Sequence, residues 1–479
     1  MLEQQQTISF SDYSSLYDLI IPKDNLLRQI TDLVDFSFVY QELQDKYCHD
    51  NGRTAESPIR MFKYLLLKVI YDISDVDVVE RTRYDMSFKY FLGLTPEETN
   101  LINPSSLTKF RRLRLKDMDL LDLLIKKTVS IAIEAGVLKS KTIIVDATHT
   151  HSRSNPISAA KSLEYYCKAV IKVVNSVDDS MELPELPKEK KYSSIMTAAK
   201  TIVATVEADA ATANMPAVKE RLNMLKETIS DAETRGVISK DEDARTGHKT
   251  AHSSFFGYKT HIAMSDERII TAATGDGQQL PELIKKTEEA GMEVDSIVAD
   301  KAYSSKENLK MAKENNMRLS ARLSSVIDGN RTNKLPFEYN KDADLYVCPA
   351  GHLAKWKEMN NRKNDKRHRN SSITYYFDVD KCKVCPLREG CYKEGAKTKT
   401  YAVTIKSDEQ LEQIEYQKTE EFINLQRKRY KIEAKNSELK NVLGYDRALS
   451  YGLSCMEMQG ALTIFAANVK RIIKLMQNA

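Results

Sequence analysis

Residues 142–152 read TIIVDATHTHS, a β-branched run closed by an aspartate and followed by hydroxyls and histidines. Thr142, Ile143, Ile144 and Val145 suit a buried strand, so the run predicts one that ends on the carboxylate of Asp146. Val294 to Ala299 repeats the pattern and ends at Asp300, after which Ser304-x-x-Glu307 has the form of a capping box opening a helix. A lone strand-end aspartate commonly caps a helix or turn. Two at corresponding places fit a shared site, because ligands collect beyond strand ends in α/β sheets.

The sequence between them alternates in type. Leu163, Cys167, Val170 and Val174, then Ile195, Ala199, Ile202 and Val206, then Val218, Leu222, Leu225 and Ile229 recur at helical spacing, with breaks at Pro184, Pro187 and Pro216. Strand alternation returns at Gly257 to Met264 and at Arg268 to Thr274, and Pro281 to Glu289 reads as a helix. The order is strand, helical insert, two strands, helix, strand, helix, which is an α/β arrangement.

Both flanks are helical. Before residue 140, Ser57-Pro58 opens one helix, Ser74 opens another that ends at Gly93, and Pro104-Ser105 opens a third. The third carries SSLTKFRRLRLK (105–116), with Lys109, Arg111 and Arg112 as candidate DNA contacts; a solvated charged face gives the same pattern. From Asp408 the chain is helical again, through RKRYKIEAKNSELK (427–440) to a last amphipathic helix carrying Leu462, Ala466, Val469 and Ile473. In the basic segment Arg429, Glu433, Asn436 and Lys440 share one face along about 16 Å of helix. A salt-bridged solvated face is the plainer account of that spacing.

Composition bounds the function. The chain has 479 residues, 42% of them hydrophobic, enough for two or more structural units. Its 72 basic and 68 acidic residues leave +4, so bulk charge supplies no evidence for a nucleic-acid partner and any DNA contact must come from local patches. The start, MLEQQQTISFSDYSS, has no secretion-signal pattern and no run reaches the length of a membrane span, so a cytoplasmic protein is expected.

Four of the seven cysteines crowd together: Cys348-x3-His352, then Cys382-x2-Cys385-x5-Cys391. Five soft or borderline ligands for four tetrahedral positions predict a structural Zn²⁺, against the alternative of reduced thiols in a loop. Cys48, Cys167 and Cys455 read as ordinary buried thiols. The same polar region, 323–405, holds KWKEMNNRKNDKRHR (355–369) around the single tryptophan, Trp356, which either packs or stacks on an extruded base.

IIVDATHTHS (143–152), FFGYKTHIAM (255–264), IVADKAYSS (297–305) and the Arg-x3-Glu-x6-Lys spacing of Arg429, Glu433 and Lys440 resemble, in this order, the motifs of bacterial insertion-sequence transposases of the DDE type. The stretch SPIRMFKYLLLKVIYDISDVDVVERTRYDMSFKYFLGL (57–94) extends the resemblance. It implies a ribonuclease H-like mixed sheet core, with an N-terminal all-helical DNA-binding domain (1–138) and a catalytic domain (139–479). That catalytic domain would be interrupted by a helical insertion (152–250) and a zinc-bearing β-rich insertion (323–405) that reaches DNA.

It further implies that Asp146, Asp300 and Glu433 hold Mg²⁺ or Mn²⁺ while Arg429 and Lys440 grip phosphates of double-stranded DNA, in a homodimer. Three clustered carboxylates need such ions, since two unit charges about 4 Å apart repel by roughly 4 kcal/mol at an effective dielectric of 20. Thr148 shares the face of Asp146, whereas His149 and His151 project elsewhere. The family's fuller signature places a tyrosine at the position of Gln426, which puts a tyrosine contact to DNA phosphate in doubt. A nuclease without strand transfer and a non-catalytic DNA-binding descendant are the alternatives.

Overall fold

The computed structural model describes residues 11–48, 54–116, 118–154, 157–178, 180–187, 191–235, 237–241, 243–250, 253–275, 279–324, 327, 337–360 and 370–478. The TIIVD run forms strand β1 (Thr142–His151) at the centre of a six-stranded sheet. The others are β2 (Arg245–Thr250), β3 (Ser253–Ser265), β4 (Ile270–Thr274), β5 (Ser296–Val298) and β6 (Arg318–Ser320). β3 runs antiparallel to β1, with Asp146 opposite Ile262, and carries β2 and β4 along its outer edge. On the other side β5 is parallel to β1, and β6 to β5. Parallel neighbours need crossovers, supplied by the helices Gln279–Glu289 before β5 and Lys306–Glu314 between β5 and β6.

Alternation along β1 sorts its side chains between two cores. Ile144 faces the helices Leu120–Glu134, Tyr430–Asn441 and Leu453–Met476 through Ile125, Val129, Ile432, Leu439 and Ile464. Ile143 and Val145 face the crossover helices through Leu283, Ile284 and Leu309.

The N-terminal helices Leu26–Leu33, Ser37–Leu43, Pro58–Tyr71, Asp75–Thr82, Met86–Leu92 and Pro104–Phe110 bury a common core. That core is not theirs alone, because Leu462, Phe465 and Val469 of the last helix lie within it. One helix expected from Ser74 to Gly93 is two. Asp85 accepts hydrogen bonds from the Ser87 and Phe88 backbone N–H groups, 3.0 and 3.3 Å away, and so caps a new start. Helix Lys306–Glu314 is likewise capped by Ser305, not Ser304, whose hydroxyl donates to the Lys301 carbonyl.

Within the insert, Ala159–Val177, Tyr192–Ala208 and Pro216–Arg235 pack around Leu163, Cys167, Val170, Ile202, Val206 and Leu222. A two-residue ladder of Ile157–Ser158 with Val237–Ile238 joins the insert's two ends. Pro216 is the first residue of the third helix, where its missing N–H costs nothing, and not only a breaker. After β6, a hairpin (Glu338–Asn340, Leu345–Val347) precedes an antiparallel sheet of Trp356–Asn360, Ser372–Phe377 and Lys399–Thr404 around the small core of Ala354, Tyr375 and Phe377. No helix among the described residues is long and apolar enough to cross a membrane.

One buried amide ties three of these elements together. Asn468, in the last helix, donates to Thr128 Oγ1 (2.9 Å) and the Ile270 carbonyl (2.8 Å), and accepts from the Ile270 N–H (2.8 Å). Asn468→Leu leaves both Ile270 backbone groups and the Thr128 hydroxyl without this partner, so urea unfolding should show a loss of roughly 2–4 kcal/mol. An unchanged midpoint would mean that the bridge contributes nothing.

Candidate functional site

Asp146 does not end its strand, as the sequence pattern suggested. β1 runs on to His151 against β3, while its ladder with β5 covers only Thr142–Ile144. What ends beside Asp146 is the neighbour, because β5 stops at Val298. Asp300, two residues later, caps a short turn over Lys301–Tyr303 and accepts the Ala302 N–H at 2.8 Å. At the far end of the β1–β3 ladder a Cβ on Gly257 would collide with the Thr150 carbonyl oxygen, so the glycine of the FFGYKTHIAM motif permits the close approach.

The third acid comes from the helix Tyr430–Asn441, which buries Ile432 and Leu439 against the sheet and turns its polar face along β1. Asn436 Nδ2 donates to Asp146 Oδ2 at 3.2 Å. One turn earlier stands Glu433, whose side chain is 60% exposed and lies 3.5 Å from Arg429 Nη2. One turn later, Lys440 Nζ is 3.5 Å from His149 Nε2 and 3.9 Å from Asp446. Tyr430 is exposed. At the helix's rear Asp266, in the β3–β4 turn, is ion-paired to Lys428 (2.9 Å) and Lys431 (2.6 Å), and buried Lys435 to Glu438 (2.8 Å).

The charges interact. Burial raises the Asp146 carboxyl above its ordinary range; the Ala147 N–H and Arg429 oppose this, while Asp300 and Glu433 add to it. The Tyr303 hydroxyl is raised too, by burial first and then by Asp146 and Asp300, and it lies 2.5 Å from His261 Nδ1. These two residues belong to the FFGYKTHIAM and IVADKAYSS motifs, yet nothing in their spacing singled them out. Thr148 is buried, and His149 packs against Phe255 with ring centroids 4.6 Å apart and the planes tilted by 37°.

Gln426, at the signature's tyrosine position, donates through Nε2 to the Ala299 carbonyl (3.2 Å) and the Ser320 carbonyl (2.5 Å). Its amide thus joins the ends of β5 and β6 immediately before Asp300.

The other candidates lie apart. Cys348, His352, Cys382, Cys385 and Cys391 line one small recess. The His352 N–H donates to Cys348 Sγ at 3.4 Å, and the Cys382 thiol is raised by burial and then by Cys391 and Cys348. Among the described residues no group of three or more His, Cys, Asp or Glu side chains stands close enough to hold a metal ion; this applies to the acids as well as the thiols. Of the remaining cysteines Cys167 is buried, but Cys48 and Cys455 are exposed, contrary to expectation.

Trp356, 49% exposed on an edge strand, stacks one face on Tyr376 (centroids 3.7 Å apart, planes 8° apart). Residues 361–369 of its basic run lie outside the described residues. Lys109 and Arg112 are exposed, whereas Arg111 is ion-paired to Asp75, which Lys68 also contacts at 2.7 Å.

Comparison with known families gives two matches. A family described as Transposase domain (DUF772) matches residues 15–113, and the Transposase DDE domain matches residues 347–473, a span that includes Arg429, Glu433 and Lys440 but neither aspartate. No curated protein and no solved structure matches the chain. With a transposase match in the N-terminal helices and a DDE match spanning the helix that carries Glu433, the two matches support an insertion-sequence transposase of the DDE type.

Proposed function

We propose that the chain cuts DNA at the ends of an insertion sequence and joins the freed 3′-hydroxyl to target DNA, with Asp146, Asp300 and Glu433 as its metal-holding acids. The observation that carries this reading is geometric: on the edge of β1 that β5 leaves unpaired, the turn capped by Asp300 and the helix carrying Glu433 both come up to Asp146, with Asn436 of that helix 3.2 Å from its Oδ2. The strand order β4-β3-β1-β5-β6, with β3 antiparallel to β1 and β5 and β6 parallel, supports a ribonuclease H-like core. In such a core the acids come from the first strand, from just after the fourth and from a later helix. The domain division 1–138 and 139–479, with insertions at 152–250 and 323–405, is part of the same reading.

The donor set suits hard divalent cations. Asp146, Asp300 and Glu433 offer only carboxylate oxygens, and their mutual repulsion is a conflict that Mg²⁺ or Mn²⁺ relieves. When bound, the ions supply Lewis acidity toward the phosphodiester and lower the pKa of the attacking hydroxyl. The protein's own groups do the rest. Asn436 orients the Asp146 carboxylate, Arg429 and Lys440 neutralise backbone phosphates on either side of Glu433, and Tyr303 keeps its proton beside the two aspartates. Water and then the 3′-hydroxyl are the nucleophiles, so no covalent intermediate with the protein is needed. Lys109, Arg112 and Trp356 extend the DNA-contacting surface, and two copies of the chain act on paired ends.

For the cysteine recess we propose structural Zn²⁺ on Cys348, Cys382, Cys385 and Cys391, with His352 as the spare donor. Its ligands would close on binding, stabilising a segment whose apolar core is small.

Three outcomes follow. Asp146→Asn, Asp300→Asn and Glu433→Gln should each reduce Mg²⁺-dependent nicking of terminal-repeat DNA by roughly 100-fold or more, about 2.7 kcal/mol of barrier, with DNA affinity nearly unchanged; retained nicking removes that residue from the triad. Joined products alongside nicks distinguish the transposase from a nuclease, and nicks without joining would leave the nuclease reading standing. Elemental analysis of purified protein should find one zinc per chain, lost in Cys382→Ser/Cys385→Ser together with protease resistance across 337–405. Zinc-free protein that resists protease equally well would sink that part of the proposal.

A further inference from the structure

Beside Asp300 lies a recess of about 570 Å³ whose lining includes Asp300, Lys301, Arg322, Gln426, Arg427 and Arg429. Four cations therefore surround one carboxylate and one amide. Lys301, Arg322 and Arg427 are exposed, and none of the three is ion-paired with a described residue. Arg429 belongs to both places, since it lines the recess and lies 3.5 Å from Glu433. The amide of Gln426 is already engaged by the Ala299 and Ser320 carbonyls, so this side chain is not free to take the phosphate contact that the resemblance assigns to a tyrosine here.

We propose that this recess holds a phosphodiester of the bound DNA strand next to the one being cut, gripped by Lys301, Arg322 and Arg427. The inference rests on the transposase reading and adds three residues to it. Three cations with no ion pair to a described residue, of which Arg427 donates only to the neutral Asn424 amide at 3.4 Å, give the recess an excess of positive charge that an anion relieves, and guanidinium groups match phosphate oxygens in a two-point geometry. The ligand is a diester within a chain because the recess is open and adjoins the acids through Arg429, so a strand crossing Asp300 must pass over it. Gln426 has a positioning role here: by joining β5 to β6 it fixes the distance between Lys301, just after β5, and Arg322, just after β6.

The test uses full-length protein and duplexes of the terminal inverted repeat that brackets the gene, each with a single neutral methylphosphonate at one of the ten linkages around the cut. Binding is measured without divalent metal over a range of salt. For the unaltered protein, neutralising one or two linkages beside the cut should weaken binding by 5- to 20-fold. In Arg322→Ala/Arg427→Ala that penalty should vanish, and the slope of log affinity against log salt should fall by about 0.9 for each phosphate no longer neutralised. Arg322→Lys/Arg427→Lys should restore the slope, separating an effect of charge from an effect of folding, and Lys301→Ala should give an intermediate result. A double-alanine variant that melts like the parent but keeps both slope and penalty overturns the recess alone. Parent protein that neither binds nor nicks the repeat overturns the transposase reading, and the recess with it.

Discussion

Half-buried carboxylates repel one another, and a sheet that paired every strand along its full length would hold them apart. Asp146 and Asp300 come within electrostatic reach because the β1–β5 ladder stops at Ile144 and Val298, while β1 continues against β3 alone. Beyond that stop one edge of β1 has no β5 beside it. The short turn at Asp300 and the polar face of the helix Tyr430–Asn441 both approach Asp146 there, and Gln426 ties the two parallel strands together just below. A continuous ladder would have taken up the space into which that turn and that helix reach.

Holding a charged helix face toward acids has its own requirement, met on the opposite side. Asp266 takes Lys431 of the helix and Lys428 just before it, and Glu438, which takes the buried Lys435 of the same helix, also lies 3.9 Å from Arg268, so the helix is tied at its rear to the β3–β4 turn while Arg429 and Lys440 stay on the face toward Asp146. The β3–β4 turn is thus a brace for the residue it never touches. Positions 428 to 440 divide their cations by direction, and that division follows from 100° per residue on a helix already anchored by Ile432 and Leu439.

Much of this was legible in the residues. β-branched runs marked β1 and β5, apolar periodicity marked the insert's three helices, and helical spacing put Glu433, Asn436 and Lys440 on one face, where the structure has Asn436 against Asp146. What escaped was set by distant partners. The extent of β1 past Asp146 depends on β3, the short strands β2 and β6 have little pattern of their own, and the tie of Arg111 to Asp75 spans 36 residues. His261 and Tyr303 meet only because β3 and the turn after β5 are neighbours in space. For the cysteines, spacing brought five donors into one recess but did not set their separations.

The sharing of one core between the N-terminal helices and Leu462, Phe465 and Val469 bears on how the protein is made. During synthesis, helices emerging first from the ribosome wait for residues added near the end, with Phe62, Phe88 and Phe91 lacking part of their native cover meanwhile. A chain cut short before residue 453 would carry the N-terminal helices without Leu462, Phe465 and Val469, leaving one side of their core open to water.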